Sequence, residues 1–140
     1  LPLEDAAAQK APAVAVGDSF GDRYRLLRGP DLKYPRLLGS TTTHALFTAL
    51  GRLRGTFTDA TIWDLAGSLA IGAERGVHAW DYTTGKRHDL FQLSDFITDN
   101  PKKMWRLRAP LVISSEAHLK TVQLAVVAQR PPDAPGELLQ

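Results

Sequence analysis

The chain contains no cysteine. That excludes disulfide staples, thiolate nucleophiles and cysteine-ligated metal sites. It also lacks a long apolar run: the longest uninterrupted stretch, Leu124 to Ala128, is far short of the roughly 20 residues of a membrane-spanning helix. A membrane partner is therefore not expected. The opening Leu-Pro-Leu-Glu-Asp has neither a basic n-region nor an apolar h-region, and reads as a chain without a signal peptide or as a processed product. Net charge is +2 with a pI near 9.1, too small an excess to mark a dedicated nucleic-acid binder. No phosphate-cradling glycine loop appears, since Gly67, Gly72 and Gly76 are too widely spaced.

What is present suits one globular domain. A length of 140 residues with 44% hydrophobic side chains can bury a single core. Residues 1–13 and 131–140 are rich in Ala, Pro and polar residues and read as tails. They flank one β-rich domain over 14–130.

Along that domain, Asp22 is suited to cap a helix running to Arg28, because its carboxylate can accept from the free N–H groups of the first turn. Gly29-Pro30 would stop it. Thr43 is suited to cap a second short helix over His44 to Leu50, although the same residues could extend as a strand. From Arg54 the pattern turns β: Thr56, Phe57, Thr58, Thr61, Ile62 and Trp63 are β-branched or aromatic. Leu69, Ile71 and Ala73 then alternate with smaller residues, Glu74-Arg75-Gly76 offers a turn, and Val77 to Tyr82 resumes as the second arm of a hairpin. Thr83 to Lys86 and Asp99-Asn100-Pro101 are further turns. Leu111 to Ile113 and a core strand placing Val122, Leu124, Val126 and Ala128 on one face complete the pattern. The expected fold is mainly β, an antiparallel β-sandwich of jelly-roll type with one or two short helices.

Residues suited to chemistry are few. His44, His78, His88 and His118 show no metal-ligand spacing, so no metal, cofactor or catalytic residue is assigned. Trp63, Trp80 and Trp105 read as core or interface anchors. Basic residues cluster twice. Arg23, Arg25, Arg28, Lys33 and Arg36 stand against Asp31, and Lys102, Lys103, Arg106 and Arg108 form a second group. Both could face phosphate, or their stems could simply lie over apolar surface with the charged heads in water.

Two resemblances follow from particular residues. Ala13-Val14-Ala15-Val16-Gly17-Asp18-Ser19 resembles the first block of the GDS-type esterases, which implies Ser19 as a nucleophile activated by a histidine. The Asp-x-x-His block of that family has no counterpart here, the nearest segment being Glu116-Ala117-His118. The second resemblance is to the shell proteins of picornavirus-like RNA viruses. Gly17-Asp18, Asp22 and Leu26-Leu27-Arg28 match their Gly-Glu-x-x-x-Ser-Leu-Arg-x-Leu-Leu-Lys segment, with Arg23 and Tyr24 departing from it. Phe47 through Leu53-Arg54-Gly55-Thr56-Phe57 is similar to the strand start that follows in those proteins, and Glu137-Leu138-Leu139-Gln140 resembles a polyprotein cleavage site.

The shell-protein resemblance implies a structural capsid protein or fragment without enzymatic activity, located in the virion. Its partners would be other capsid subunits, with genomic RNA held through non-specific phosphate contacts. Arg23, Arg25, Arg28, Lys33 and Arg36 are the candidate interface or RNA-phosphate contacts. A secreted or periplasmic β-sandwich binding or adaptor module is the first alternative, and the Ser19 esterase the second.

Overall fold

A computed structural model describes residues 10–129. The Glu137–Gln140 ending and most of both expected tails lie outside the described residues. The inner end of the N-terminal segment is tied to the body. Arg54 Nε donates to the Ala11 carbonyl at 3.0 Å, the Lys33 amide donates to that of Pro12 at 2.8 Å, and Ala13 already belongs to a strand.

In chain order the elements are β1 (Ala13–Ala15), α1 (Phe20–Arg23), β2 (Tyr24–Leu26), β3 (Tyr34–Arg36), α2 (Thr41–Ala49), β4 (Gly55–Thr58), α3 (Ile62–Ala73), β5 (Val77–Asp81), a 3-10 turn at Leu93–Asp95, β6 (Leu111–Ser115), α4 (Glu116–Ala125) and β7 (Val126–Ala128). Five strands form one mixed sheet in the order β3-β1-β4-β6-β5. β1 runs parallel to both β3 and β4, whereas β6 is antiparallel to β4 and β5. β2 and β7 form a separate antiparallel pair.

Helices cover both faces of the sheet. On β6, Leu111 and Ile113 point toward α2 and α3, joining Ala45, Leu65, Val77 and Ala79 in one core. Val112 points the other way, joining Val14, Phe57 and Val122 of α4 in a second core. A sheet buried on both faces needs no polar alternation. Ala13 to Val16 are accordingly all buried, as are all residues of β6.

This mixed α/β architecture corrects the expected mainly β sandwich or jelly roll. The segments that differ have identifiable causes. Ile62–Ala73 is a helix because Leu65, Ser68 and Gly72, at helical spacing, form its buried face. Trp63 on the opposite face and Ile62 and Ile71 on the flanks are apolar yet exposed, which hides the period. Glu116–Ala125 is likewise a helix, burying His118 and Val122 one turn apart while Leu124 stays 64% exposed. Only Val126–Ala128 of the expected last strand is extended, pairing with β2.

The expected helix from Asp22 to Arg28 stops at Arg23. Tyr24 leaves it to place its ring 4.7 Å from Phe57 and 5.9 Å from both Phe20 and Tyr82. Aromatic packing of that kind outweighs the weak preference of one short turn. The second short helix does form, but Ser40 rather than Thr43 caps it, with Ser40 Oγ accepting from the Thr43 amide at 3.3 Å.

Candidate functional site

The three parallel strands β3, β1 and β4 end at the same edge of the sheet. In open α/β sheets that edge is where ligands bind. The loops leaving it carry Gly39-Ser40, Gly17-Asp18-Ser19 and Asp59-Ala60-Thr61, and together with the first turns of α2 and α3 and with Arg106 they enclose a cleft of about 370 Å³.

At the start of α2, Gly39 adopts a φ of 77°, a left-handed turn that glycine makes without strain. It swings the chain from β3 into an extended Ser40, φ −150° and ψ 123°. The first amides of a helix have no partner within it. Those of Thr41 and Thr42 meet no acceptor among the described residues, while the Thr43 and His44 amides are taken by Ser40. Two N–H groups are thus left open at the positive end of a nine-residue helix.

The start of α3 is built differently. The Thr61 hydroxyl donates to Asp64 Oδ2 at 2.8 Å, orienting a carboxylate that also gains from the helix dipole. The Ile62 amide donates to the Trp105 carbonyl at 3.0 Å. Trp105 has a φ of 66°, an unusual conformation for an aromatic residue that stores about 1–3 kcal/mol. That turn carries the neighbouring Arg106 to the cleft. Arg106 Nη2 lies 3.7 Å from Asp59 Oδ1, and its Nε is buried without a partner.

His44, 3% exposed, forms part of the cleft wall. Its Nε2 accepts the Leu38 amide at 3.0 Å, so the ring is held unprotonated at that nitrogen. Burial lowers its pKa below 6.5, and the nearby Asp18 charge opposes that shift. His44 is a brace for the β3–α2 loop. Asp18, Asp59 and Asp64 supply oxygen donors, but no group of three or more His, Asp or Glu side chains able to hold a metal ion occurs among the described residues. These residues alone do not make a metal centre.

The residues singled out from sequence are dispersed. Ser19 does border the cleft that His44 lines, but no hydrogen bond joins them, and Ser19 is exposed. Among the described residues Ser19 and His44 do not form a pair. Arg23 lines an adjoining groove with Lys103, Arg106 and Arg108. Arg25 lies exposed on β2, and Arg28 borders a separate hollow beside Lys120 and Leu124. Lys33 is exposed, and Arg36 sits 5.1 Å over the Tyr34 ring at the β3 edge. The features missed from sequence are the open α2 amides and the Asp59/Asp64 carboxylates. Thr61-Ile62-Trp63-Asp64 carried a signal, the Thr-x-x-Asp spacing of a helix start.

No protein-family model and no curated protein matches the chain. Solved structures do match it. The Thermotoga maritima IMPase superposes with a TM-score of 0.56 over 89% of this chain at 19% identity. A staphylococcal IMPase-II gives 0.56 over 88% at 16%, and the extragenic suppressor protein suhB of Bartonella henselae 0.54 over 84% at 16%. The chain has an inositol-monophosphatase-like fold. It spans 43–44% of the length of these structures.

The IMPase-like fold overturns the resemblance to capsid proteins and what was drawn from it: a structural, non-enzymatic protein, capsid-subunit and genomic-RNA partners, and a virion location. Two of the three structures sharing the fold are named as IMPases, that is, as enzymes. The secreted or periplasmic β-sandwich adaptor falls with the sandwich, and the GDS-type esterase falls with the missing Ser19–histidine pair.

Proposed function

We propose that this chain contributes the phosphate-binding part of a site for phosphate monoesters of small hydroxyl-bearing molecules, in an enzyme that hydrolyses them. The observation that carries the reading is the open amide of Thr41, a residue that lines the cleft at the start of α2, followed by the open amide of Thr42; the start of α3 lines the same cleft. The positive end of α2, with its unpaired N–H groups, favours a phosphoryl group, and Arg106 adds a positive charge to the same cleft. Two structures with the same fold support the ligand class, one a staphylococcal IMPase-II bound to inositol monophosphate and the other the same protein bound to 2'AMP.

In this reading the α2 amides and Arg106 hold phosphoryl oxygens, and the Thr61-oriented carboxylate of Asp64 stands at the edge where water must approach phosphorus. Hydrolysis breaks the ester P–O bond, forms a new P–O bond to water and releases the alcohol. Because the chain spans under half of the matched structures, binding is the direct readout. Inositol 1-phosphate titrated into the isotope-labelled chain is expected to shift the backbone amides of Gly39–Thr43 and Thr61–Asp64 in a saturable way. Saturation with no response at Thr41 and Thr42, or no response anywhere, would refute the reading.

A further inference from the structure

The hydrogen bond from the Leu38 amide to His44 Nε2, 3.0 Å long, closes a ring of chain around Gly39, Ser40 and Thr41. Those three residues line the cleft, as His44 does. Gly39, at φ 77°, is the joint of that ring, because glycine crosses between the two halves of backbone space at little cost. Ser40 closes the far side, accepting the Thr43 amide on its Oγ and the His44 amide on its carbonyl. One residue, His44, thus grips the loop twice, by its side chain toward β3 and by its backbone amide toward Ser40.

His44 is itself fixed to the sheet. Its carbonyl accepts the Thr48 hydroxyl at 2.9 Å, and Thr48 Oγ1 lies 2.9 Å from Thr56 Oγ1 of β4. A line of hydrogen bonds therefore runs from β4 through α2 and the imidazole to the loop, and it places the Thr41 amide relative to the strand that leads into Asp59. Burial disfavours the charged ring, and acceptance at Nε2 puts the single ring proton on Nδ1. Filling space explains a buried imidazole. It does not explain an acceptor nitrogen aimed at the amide that begins the loop carrying the open N–H.

We infer that His44 is a positioning residue for phosphate capture: by accepting the Leu38 amide it holds Gly39, Ser40 and Thr41 in the conformation that presents the Thr41 amide to a phosphoryl oxygen, and so sets the affinity of the start of α2. It acts through Leu38 rather than by contact with the ligand. The inference rests on the phosphate-monoester reading of the cleft and adds to it the side chain that governs binding there.

The test titrates inositol 1-phosphate into the isotope-labelled full chain and its His44→Gln and His44→Leu variants, following amides of the folded protein well below its melting temperature. His44→Gln keeps an acceptor oxygen for the Leu38 N–H and is expected to bind within about threefold of the parent. His44→Leu is apolar, offers no acceptor and is expected to bind roughly tenfold more weakly. A purely structural role would lower the melting temperature of His44→Leu and leave the affinity of its folded form unchanged. Two readings on the parent chain do not depend on that variant folding. The His44 nitrogen shifts are expected to show Nδ1 protonated and Nε2 bare, and bound phosphate is expected to slow hydrogen exchange at the Leu38 amide. The inference is overturned if folded His44→Leu binds like the parent, if His44→Gln is as weak as His44→Leu, if Nε2 carries the proton, or if exchange at Leu38 is unchanged by ligand. Any of these results, with Thr41 and Thr42 of the parent still responding, leaves the phosphate-monoester reading standing. Failure of the parent to respond at Thr41 and Thr42 sinks that reading and this inference with it.

Discussion

The hydroxyl oxygens of Thr48 on α2 and Thr56 on β4 lie 2.9 Å apart, both residues buried. Thr48 gives its proton to the His44 carbonyl, also at 2.9 Å, so Thr56 is the donor to Thr48. The bond pins α2 to the sheet one turn beyond the cleft. Thr48→Val leaves a fully buried Thr56 hydroxyl with no acceptor and is expected to destabilise by about 1–3 kcal/mol. Replacing both partners with Val is expected to recover much of that loss, because two apolar groups of the same shape leave nothing unpaired. Urea unfolding of the four proteins in this cycle checks it. Strict additivity of the two single effects would contradict the bond between the two hydroxyls.

Gly55 opens β4 directly beneath α4. A Cβ there would stand 3.0 Å from Val122 Cγ2 and 3.1 Å from the Ile113 carbonyl oxygen, closer than a packed interior accommodates. Gly55→Ala is expected to push α4 off the sheet and to lower stability by about 1–3 kcal/mol. Gly67→Ala on the exposed side of α3, where nothing lies within 4 Å, is expected to be neutral or to stabilise by up to about 1 kcal/mol. Thermal unfolding of the two variants separates these outcomes.

Which parts of this fold could be read from the residues depended on whether local pattern and tertiary environment agreed. Val77 to Asp81 and Leu111 to Ile113 are rich in apolar, β-prone residues, and both lie in the sheet. α2 was visible, though its cap lies three residues before Thr43. α3 was not, because Thr61, Ile62 and Trp63 favour strands locally and the exposed Ile62, Trp63 and Ile71 blur the helical stripe. α4 was lost to an accidental alternation, of which only Val122 and Val126 are buried. Parallel pairing of β1 with β3 and β4 joins segments some twenty to forty residues apart, which no local pattern encodes. The site shares that difficulty. Each basic cluster was evident alone, but that Arg23 of the first comes beside Lys103, Arg106 and Arg108 of the second depends on the completed fold.

Acid sensitivity should trace partly to His44. Its pKa in the folded chain lies below 6.5, so the unfolded chain binds the proton more readily. Stability therefore rises with pH wherever the unfolded state holds more protons. It is complete above 6.5 and declines as pH falls from there toward the folded-state value. His44→Gln offers an amide oxygen to the Leu38 N–H without a titrating group, and is expected to flatten this part of the stability profile. Melting temperatures of both proteins from about pH 7 to pH 5 test it. Equal slopes would mean that His44 does not carry this part of the profile.

The open amide of Thr41 can be removed with little disturbance to the helix. Thr41 is the first residue of α2, a position where proline is favoured because the missing N–H has no intrahelical partner. Ser40 before it is extended, φ −150° and ψ 123°, within the range a residue preceding proline adopts. Thr41→Pro is therefore expected to keep stability within about 0.5 kcal/mol and to weaken inositol 1-phosphate binding by roughly tenfold through loss of one donor to a charged acceptor. Thr41→Val, which keeps the amide and drops the hydroxyl, is expected to bind more tightly than the proline variant. If the two variants bind alike, the hydroxyl rather than the backbone meets the phosphate. If neither differs from the parent chain, the start of α2 does not bind it at all.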